Sequence, residues 1–287
     1  MPALRDLVAE ELLTPVDPKV IAMASAIAAK HGTASRAVLF YGSCLRQKQL
    51  EGLMLDFYLI VSDYRAAYGN SWLAIANRLI PPNVFYFEHD GLVAKYAVLS
   101  EADFYRLNGP ETRNVSVWAR FAQPSRLVWA ADDEACSNAV AAVTRAAPTL
   151  LASAGQREGE QPPDWWRRAF ALTYSAELRA ERKGRSTSVV DTDRDRYERF
   201  SGPVIAAIPA LMARPSSWVR RRIEGKALSV LRLAKASFTF AGGVDYIAWK
   251  INRHAGTDIR IKPWQRRWPL LAAVSLLPRL LRSGAVR

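Results

Sequence analysis

The stretch VLFYGSCLRQKQLEGLMLDFYLIVSDY, residues 38–64, constrains this chain more than any other. Two runs of large and β-branched residues, RAVLFYG and LMLDFYLIV, read as strands. A polar loop that opens with Gly42-Ser43 joins them. Asp56 lies inside the second run, where a charge is costly unless something offsets it. Either the strand is an edge and Asp56 meets water, or the fold supplies a partner.

The pattern around these strands separates a sheet-bearing part from a helical part. Residues 4–30 read as two helices, the second opened by Asp17-Pro18 and ending near His31-Gly32. SWLAIANRLI is a helix stopped by Pro81-Pro82, and NVFYFEHDGLVAKYAVLS is a hairpin turning at His89-Asp90-Gly91. EADFYRL starts a helix, SRLVWA is a strand, and residues 132–152 form a helix capped by aspartate. SAGQREGEQPPD, rich in Gly, Pro and charge, marks a boundary. WWRRAFALTYSAELRAER, a segment from Arg196 and further stretches up to Lys250 are helical. The class expected is α+β: a sheet-bearing domain over 1–150, a helical domain over 151–255 and a basic amphipathic tail over 256–287.

Charge is divided unevenly along the 287 residues. The net charge is +13, and residues 214–287 hold 16 basic and 3 acidic residues, so the whole excess lies there. Such asymmetry points to an anionic surface, nucleic acid or membrane. The 2 cysteines, Cys44 and Cys136, and the 3 histidines argue against a disulfide framework or a His/Cys metal site. Both cysteines read as small buried hydrophobes. The N-terminal MPALRDLVAEELL reads as neither a signal nor a transit peptide, and no apolar run reaches the ~18 residues of a spanning helix. The expectation is a protein in the cytosol or attached to a membrane from one side.

A glycine-serine turn after one strand and an acid in the next suit the phosphates of a nucleoside triphosphate. Gly42 lets the backbone approach a phosphate, and Ser43 offers a hydroxyl and an N–H. Asp56 would hold a divalent cation that orients the phosphates. Two-carboxylate sites of this kind carry Asp-x-Asp or Asp-x-Glu, whereas the second position here is Tyr58. The second carboxylate is then Asp63, closing the same strand, or Glu88, on a later one; helix capping is an equal reading of Asp63.

FYGSCLRQ, LMLDFYLIVSD, AKYAVLS and ARFAQPSRLVW occur in the order found in the mitochondrial-type phosphatidate cytidylyltransferases, the translocator assembly and maintenance family, which the chain resembles. That family also carries a Leu-Asp-Phe strand without the second Asp. The resemblance continues through ALTYSAELRAERKG and KALSVLRLAKASFTFAGGVDYIAWKINRH, covering residues 35–254. It implies a nucleotidyltransferase domain with a mixed sheet, then a winged-helix-like domain and a membrane-binding C-terminal helix. It implies transfer from CTP to phosphatidic acid, with Mg²⁺, giving CDP-diacylglycerol and pyrophosphate. The family's Trp-His is replaced here by Ala67-Tyr68, at the edge of the nucleotide pocket.

On this resemblance Asp56, Ser43 and Lys95 carry the chemistry, and Asp56 with Asp63 or Glu88 holds the metal. Gly42, Ser43, Arg46, Lys95, Arg120, Ser175 and Arg179 contact substrate, with Ser175 and Arg179 on one helix face and Glu177 pointing away. A solvated loop charge for Arg46, pairing with a carboxylate for Arg120 and ordinary helix polarity for the Ser175 helix are equal readings. Asp191, Asp193 and Asp195 read as a solvated turn. The tail KPWQRRWPLLAAVSLLPRLLRSGAVR sets Trp264 and Trp268 beside leucines and flanking arginines, which suits an anionic bilayer surface. The location expected is the cytoplasmic face of a bacterial inner membrane, with neither nucleic acid nor an obligate protein partner. The alternatives are a soluble nucleotidyltransferase acting on a small molecule, RNA or protein, and a non-enzymatic membrane adaptor.

Overall fold

The computed structural model describes residues 3–47, 50, 52–177, 189–211, 217–239 and 262–264. Five strands form one sheet: β1 (Ser35–Tyr41), β2 (Met54–Val61), β3 (Asn83–His89), β4 (Leu92–Ser100) and β5 (Ser125–Ala130), in the order β3-β4-β2-β1-β5. β2 and β4 pair in parallel and every other neighbour is antiparallel, so the sheet is mixed. The turn between β3 and β4 places Asp90 and Gly91 at positive φ, as a tight hairpin requires. β2 is the central strand, so Asp56 is not an edge residue.

Side chains alternate across the sheet and build two cores. Leu39, Tyr58, Ile60 and Leu99 face one side; Val38, Phe40, Phe57, Leu59 and Val98 face the other. The second face is covered by α2 (Pro18–Ala29) through Val20, Met23 and Ile27. Asp17 caps that helix, its carboxylate accepting from the Lys19 N–H at 2.8 Å. The first face is covered by α1 (Leu4–Leu12) and by elements that come after β4. In the interval between β1 and β4 lie α3 (Ser43–Gln47), α4 (Tyr64–Tyr68) and α5 (Trp72–Leu79). After β4 come α6 (Glu101–Leu107), α7 (Trp118–Phe121), α8 (Asp133–Thr144), α9 (Ala146–Ala154), α10 (Pro162–Ala176), α11 (Arg194–Ala207) and α12 (Trp218–Thr239).

The first core runs without a break from Leu4 and Leu39 through Trp118 to Trp166, Phe170, Tyr197 and Val204. The sheet-bearing and helical parts therefore share one interior across the Gly/Pro-rich segment at 153–164. Arg168 of α10 holds that segment, its Nε donating to Glu160 Oε1 at 2.6 Å and its Nη1 to the Ala154 carbonyl at 3.0 Å. The α+β class and the strands agree with the sequence pattern. The helix expected over 132–152 is two, α8 and α9, meeting at Arg145. The helix after the boundary starts earlier, on Pro162, and ends at Ala176.

α12 ties the two parts together. A Cβ on Gly225 would stand 2.2 Å from the Ala176 carbonyl oxygen, so α12 crosses the end of α10 in close contact. Arg221 Nη1 donates to the Arg113 carbonyl at 2.9 Å, and Arg232 Nε to the Pro81 carbonyl at 2.7 Å. Lys235 Nζ donates to the Pro82 carbonyl at 2.8 Å and to that of Ile80. Among the described residues no helix is long and apolar enough to cross a membrane.

Candidate active site

The site lies where β1 runs out beside β2. Asp56 is in register with Tyr41 on β1 and with Lys95 on β4. Gly42 follows Tyr41 at φ +97, and a Cβ there would lie 2.9 Å from Asp56 Oδ2. A residue with a side chain could adopt neither that backbone nor that approach without displacing the carboxylate. Ser43 opens the short helix α3 one residue later. Lys95 Nζ stands 3.0 Å from Asp56 Oδ1 and is the partner that offsets the buried charge. That oxygen is buried and accepts no hydrogen bond. Burial first, and Asp56 second, push the neighbouring Cys44 thiol up, so Cys44 is a neutral packing residue under the turn rather than a nucleophile.

Two residues along β2, Tyr58 occupies the position of the absent second carboxylate. Its hydroxyl accepts from Arg120 Nη1 at 3.2 Å, and the same Nη1 donates to the Ser116 carbonyl at 2.9 Å. The Arg120 guanidinium lies over the rings of Tyr41 and Tyr58, 5.2 and 5.9 Å from their centroids. Burial opposes its charge, but Tyr58, Tyr41, Glu177 and Asp56 outweigh that and hold its pKa above the ordinary arginine value. Arg232 reaches the same place from α12, its Nη1 donating to Ser116 Oγ at 2.9 Å.

Other expected site residues lie elsewhere. Asp63 sits beyond the far end of β2, seven residues or ~20 Å of strand from Asp56. There it caps α4, its Oδ1 accepting from the N–H groups of Arg65 at 2.7 Å and Ala66 at 2.9 Å. Glu88 is exposed on β3, two strands or ~10 Å across the sheet from β2, and takes the Tyr86 hydroxyl as its donor. Neither joins Asp56, because one marks the opposite end of the strand and the other an outer strand. Ser175 is exposed and donates back to the Leu172 carbonyl of its own helix at 2.7 Å. Arg179, the Arg46 side chain and the tail from residue 265 lie outside the described residues.

Glu177, Ser116 and Arg232 stand by Arg120; the last two were not singled out from sequence. Read as helix, Glu177 points away; α10 instead ends at Ala176, and Glu177 is extended at φ −115, ψ 154. Its carboxylate acts electrostatically on both Arg120 and Arg232. Arg232 carries no local signal that separates it from the other basic residues of α12.

Mg²⁺, implied by the resemblance, suits this donor set in a limited way. Asp56 Oδ1 is engaged by Lys95 Nζ at 3.0 Å, and Oδ2 is the oxygen on the side of Gly42, where no side chain intrudes. Among the described residues no group of three His, Cys, Asp or Glu side chains could hold a metal ion alone. The fit is to a Mg²⁺ bound through one carboxylate, with substrate phosphates and water supplying the other ligands, as is usual for that ion.

No family model matches the chain, and no curated protein does. Among solved structures, a crystal structure of a nucleotidyltransferase-like protein from Exiguobacterium sibiricum 255-15 is similar at 11% sequence identity and a TM-score of 0.29, over 92% of each chain.

Proposed function

We propose that this chain is a nucleotidyltransferase and, within that class, a CTP:phosphatidate cytidylyltransferase working at a membrane surface. The class rests on one observation: the approach of Gly42 to Asp56, with Lys95 at the other carboxylate oxygen. The arrangement sets a glycine turn, a carboxylate and an ammonium group side by side, which supports a reading in which they take a phosphate, a metal ion and negative charge. When bound, Mg²⁺ would neutralise the triphosphate and the leaving pyrophosphate. Gly42 admits a phosphate to the backbone, Ser43 offers two donors, and Lys95 places positive charge where negative charge develops on the leaving group. The attacking oxygen forms its bond to the α-phosphorus as the bond to pyrophosphate breaks. A phosphate acceptor is already ionised, so no general base is required.

The finer reading, CTP and phosphatidic acid giving CDP-diacylglycerol, is supported by the resemblance of the Tyr41–Ser43, Leu55–Phe57, Lys95-Tyr96 and Arg120–Trp129 segments to the cytidylyltransferase family. Peripheral attachment to the cytoplasmic face of a bacterial membrane is supported by the basic, Trp- and Leu-rich composition of 256–287.

The test is incubation of the full chain with labelled CTP, Mg²⁺ and vesicles containing phosphatidic acid. Labelled CDP-diacylglycerol is expected, and Asp56→Asn is expected to lower the rate by ~100-fold or more while leaving the unfolding midpoint in place. Transfer of CMP to a soluble acceptor and none to the lipid would overturn the lipid reading and retain the class. Failure to release pyrophosphate from any of the four common nucleoside triphosphates, with lipid and soluble phosphate acceptors present, would overturn the class.

A further inference from the structure

Arg120 and Arg232 bring two like charges to one residue: Arg120 Nη1 donates to the Ser116 carbonyl at 2.9 Å and Arg232 Nη1 to its hydroxyl at 2.9 Å. Ser116 itself is buried. Like charges this close in a partly buried place repel, and Arg232 shows the strain. Burial lowers its pKa and Arg120 adds to the effect, with Tyr58 and Glu177 opposing only in part. Arg232 Nη2 is also buried without a hydrogen-bond partner. An oxyanion admitted beside this pair would satisfy the unused donor and offset the repulsion of the two cations.

The register of the sheet says which anion. β1 and β2 are antiparallel, with Tyr41 opposite Asp56 and Leu39 opposite Tyr58. Gly42-Ser43 therefore lies to one side of Asp56 along the strand axis, and Tyr58 with Arg120 and Arg232 lies to the other. In-line transfer needs the leaving group and the attacking group on opposite sides of the phosphorus. With pyrophosphate at Gly42-Ser43, the arginine pair stands on the attacking side.

We propose that Arg120 and Arg232, joined through Ser116, form the acceptor site and bind a phosphate monoester, whether a lipid headgroup or a soluble phosphate ester. The assignment of sides rests on the nucleotidyl-transfer reading; the existence of the anion site does not. The helical part thus contributes Arg232 to a site whose other two members, Ser116 and Arg120, lie just before and on α7.

The test compares Arg232→Gln and Ser116→Ala with the unmodified full chain. Binding is measured by calorimetry with inorganic phosphate, with glycerol 3-phosphate and with vesicles of phosphatidylcholine containing phosphatidic acid, and separately with a non-hydrolysable CTP analogue. Arg232→Gln is expected to weaken phosphate binding by about tenfold or more, and Ser116→Ala by less, with CTP-analogue affinity within about twofold. Whichever of the two esters loses affinity in parallel with phosphate identifies the source. Equal loss of phosphate and CTP-analogue affinity would assign the pair to the nucleotide and overturn the proposal. Unchanged phosphate binding in a folded Arg232→Gln would overturn it outright. If Arg232→Gln unfolds, Ser116→Ala decides, with unchanged phosphate binding again overturning the site. Phosphate binding that depends on Arg232 in a protein without transferase activity would uphold the anion site and remove the nucleotidyl-transfer reading.

Discussion

Gly42 and Asp56 are separate signals in the sequence and one feature in the structure. The backbone at φ +97 and the 2.9 Å approach to Asp56 Oδ2 make any side chain at Gly42 a double fault. Gly42→Ala is expected to lose ~1–2 kcal/mol of stability from backbone strain and to lower turnover further by moving the carboxylate. Thermal unfolding and pyrophosphate release measure the two effects, and full turnover in the variant would reduce Gly42 to an ordinary turn. Asp56, Lys95 and Gly42 are legible beforehand because a charge in an apolar strand and a glycine after one are local anomalies. Asp63 shows the limit of that legibility: an acid that ends a strand and opens a helix reads equally as ligand or cap, and only position decides. Glu177 and Ser116 have no such signal, because what they do depends on where α10 stops and where α12 passes.

At the scale of elements, α12 is held on the sheet by cations that donate to backbone carbonyls. Lys235 is the most perturbed of them: burial, aided by Arg232, pushes its pKa down from 10.5 to about 7. In the unfolded chain the same amine keeps its proton up to its ordinary value. Between these limits the unfolded state binds more protons, so stability should rise with pH from about 7 and stay flat in this respect below it. Tyr64 and Tyr68, whose pKa values burial raises, act in the opposite sense only above the usual tyrosine value of 10.0. Denaturant unfolding between pH 7 and about 8.5, above the range where His31 acts and below that of Cys44, should therefore show the rise, and Lys235→Met should abolish it. A rise that persists in the variant would assign it to another group. The sequence marks this helix as basic, because it lies in the stretch that holds the whole charge excess. It does not distinguish cations that face solvent from those that face Ile80, Pro81 and Pro82.

At the scale of the molecule, the N-terminal helix and the helical part are locked by Glu11 and Arg196. Arg196 Nη2 donates to Glu11 Oε1 at 2.9 Å, its Nε donates to Oε2, and its Nη1 donates to the Ala122 carbonyl at 3.2 Å. Burial opposes the Arg196 charge, but the Glu11 carboxylate outweighs it and holds the pKa above the ordinary value. Glu11→Ala should cost ~3–5 kcal/mol by leaving a buried charge unpaired, and Glu11→Leu with Arg196→Met should recover most of that. Chemical denaturation checks both, and a single-variant loss under ~1 kcal/mol would show that the pair holds nothing together. The sequence alone determined the strands, their order along the chain, the helical character of the C-terminal half and the candidate pair Gly42 and Asp56. Each of these rests on periodicity, propensity or an anomaly within a few residues. Tertiary structure alone decided that β2 is central and that Tyr58 takes Arg120 in place of a second carboxylate. It also decided that Asp63 and Glu88 stand apart from Asp56, and that Arg232 crosses from a distant helix to Ser116. Those outcomes depend on which strands pair and which helices cross, and contacts between residues tens to more than a hundred positions apart leave no mark in the local pattern.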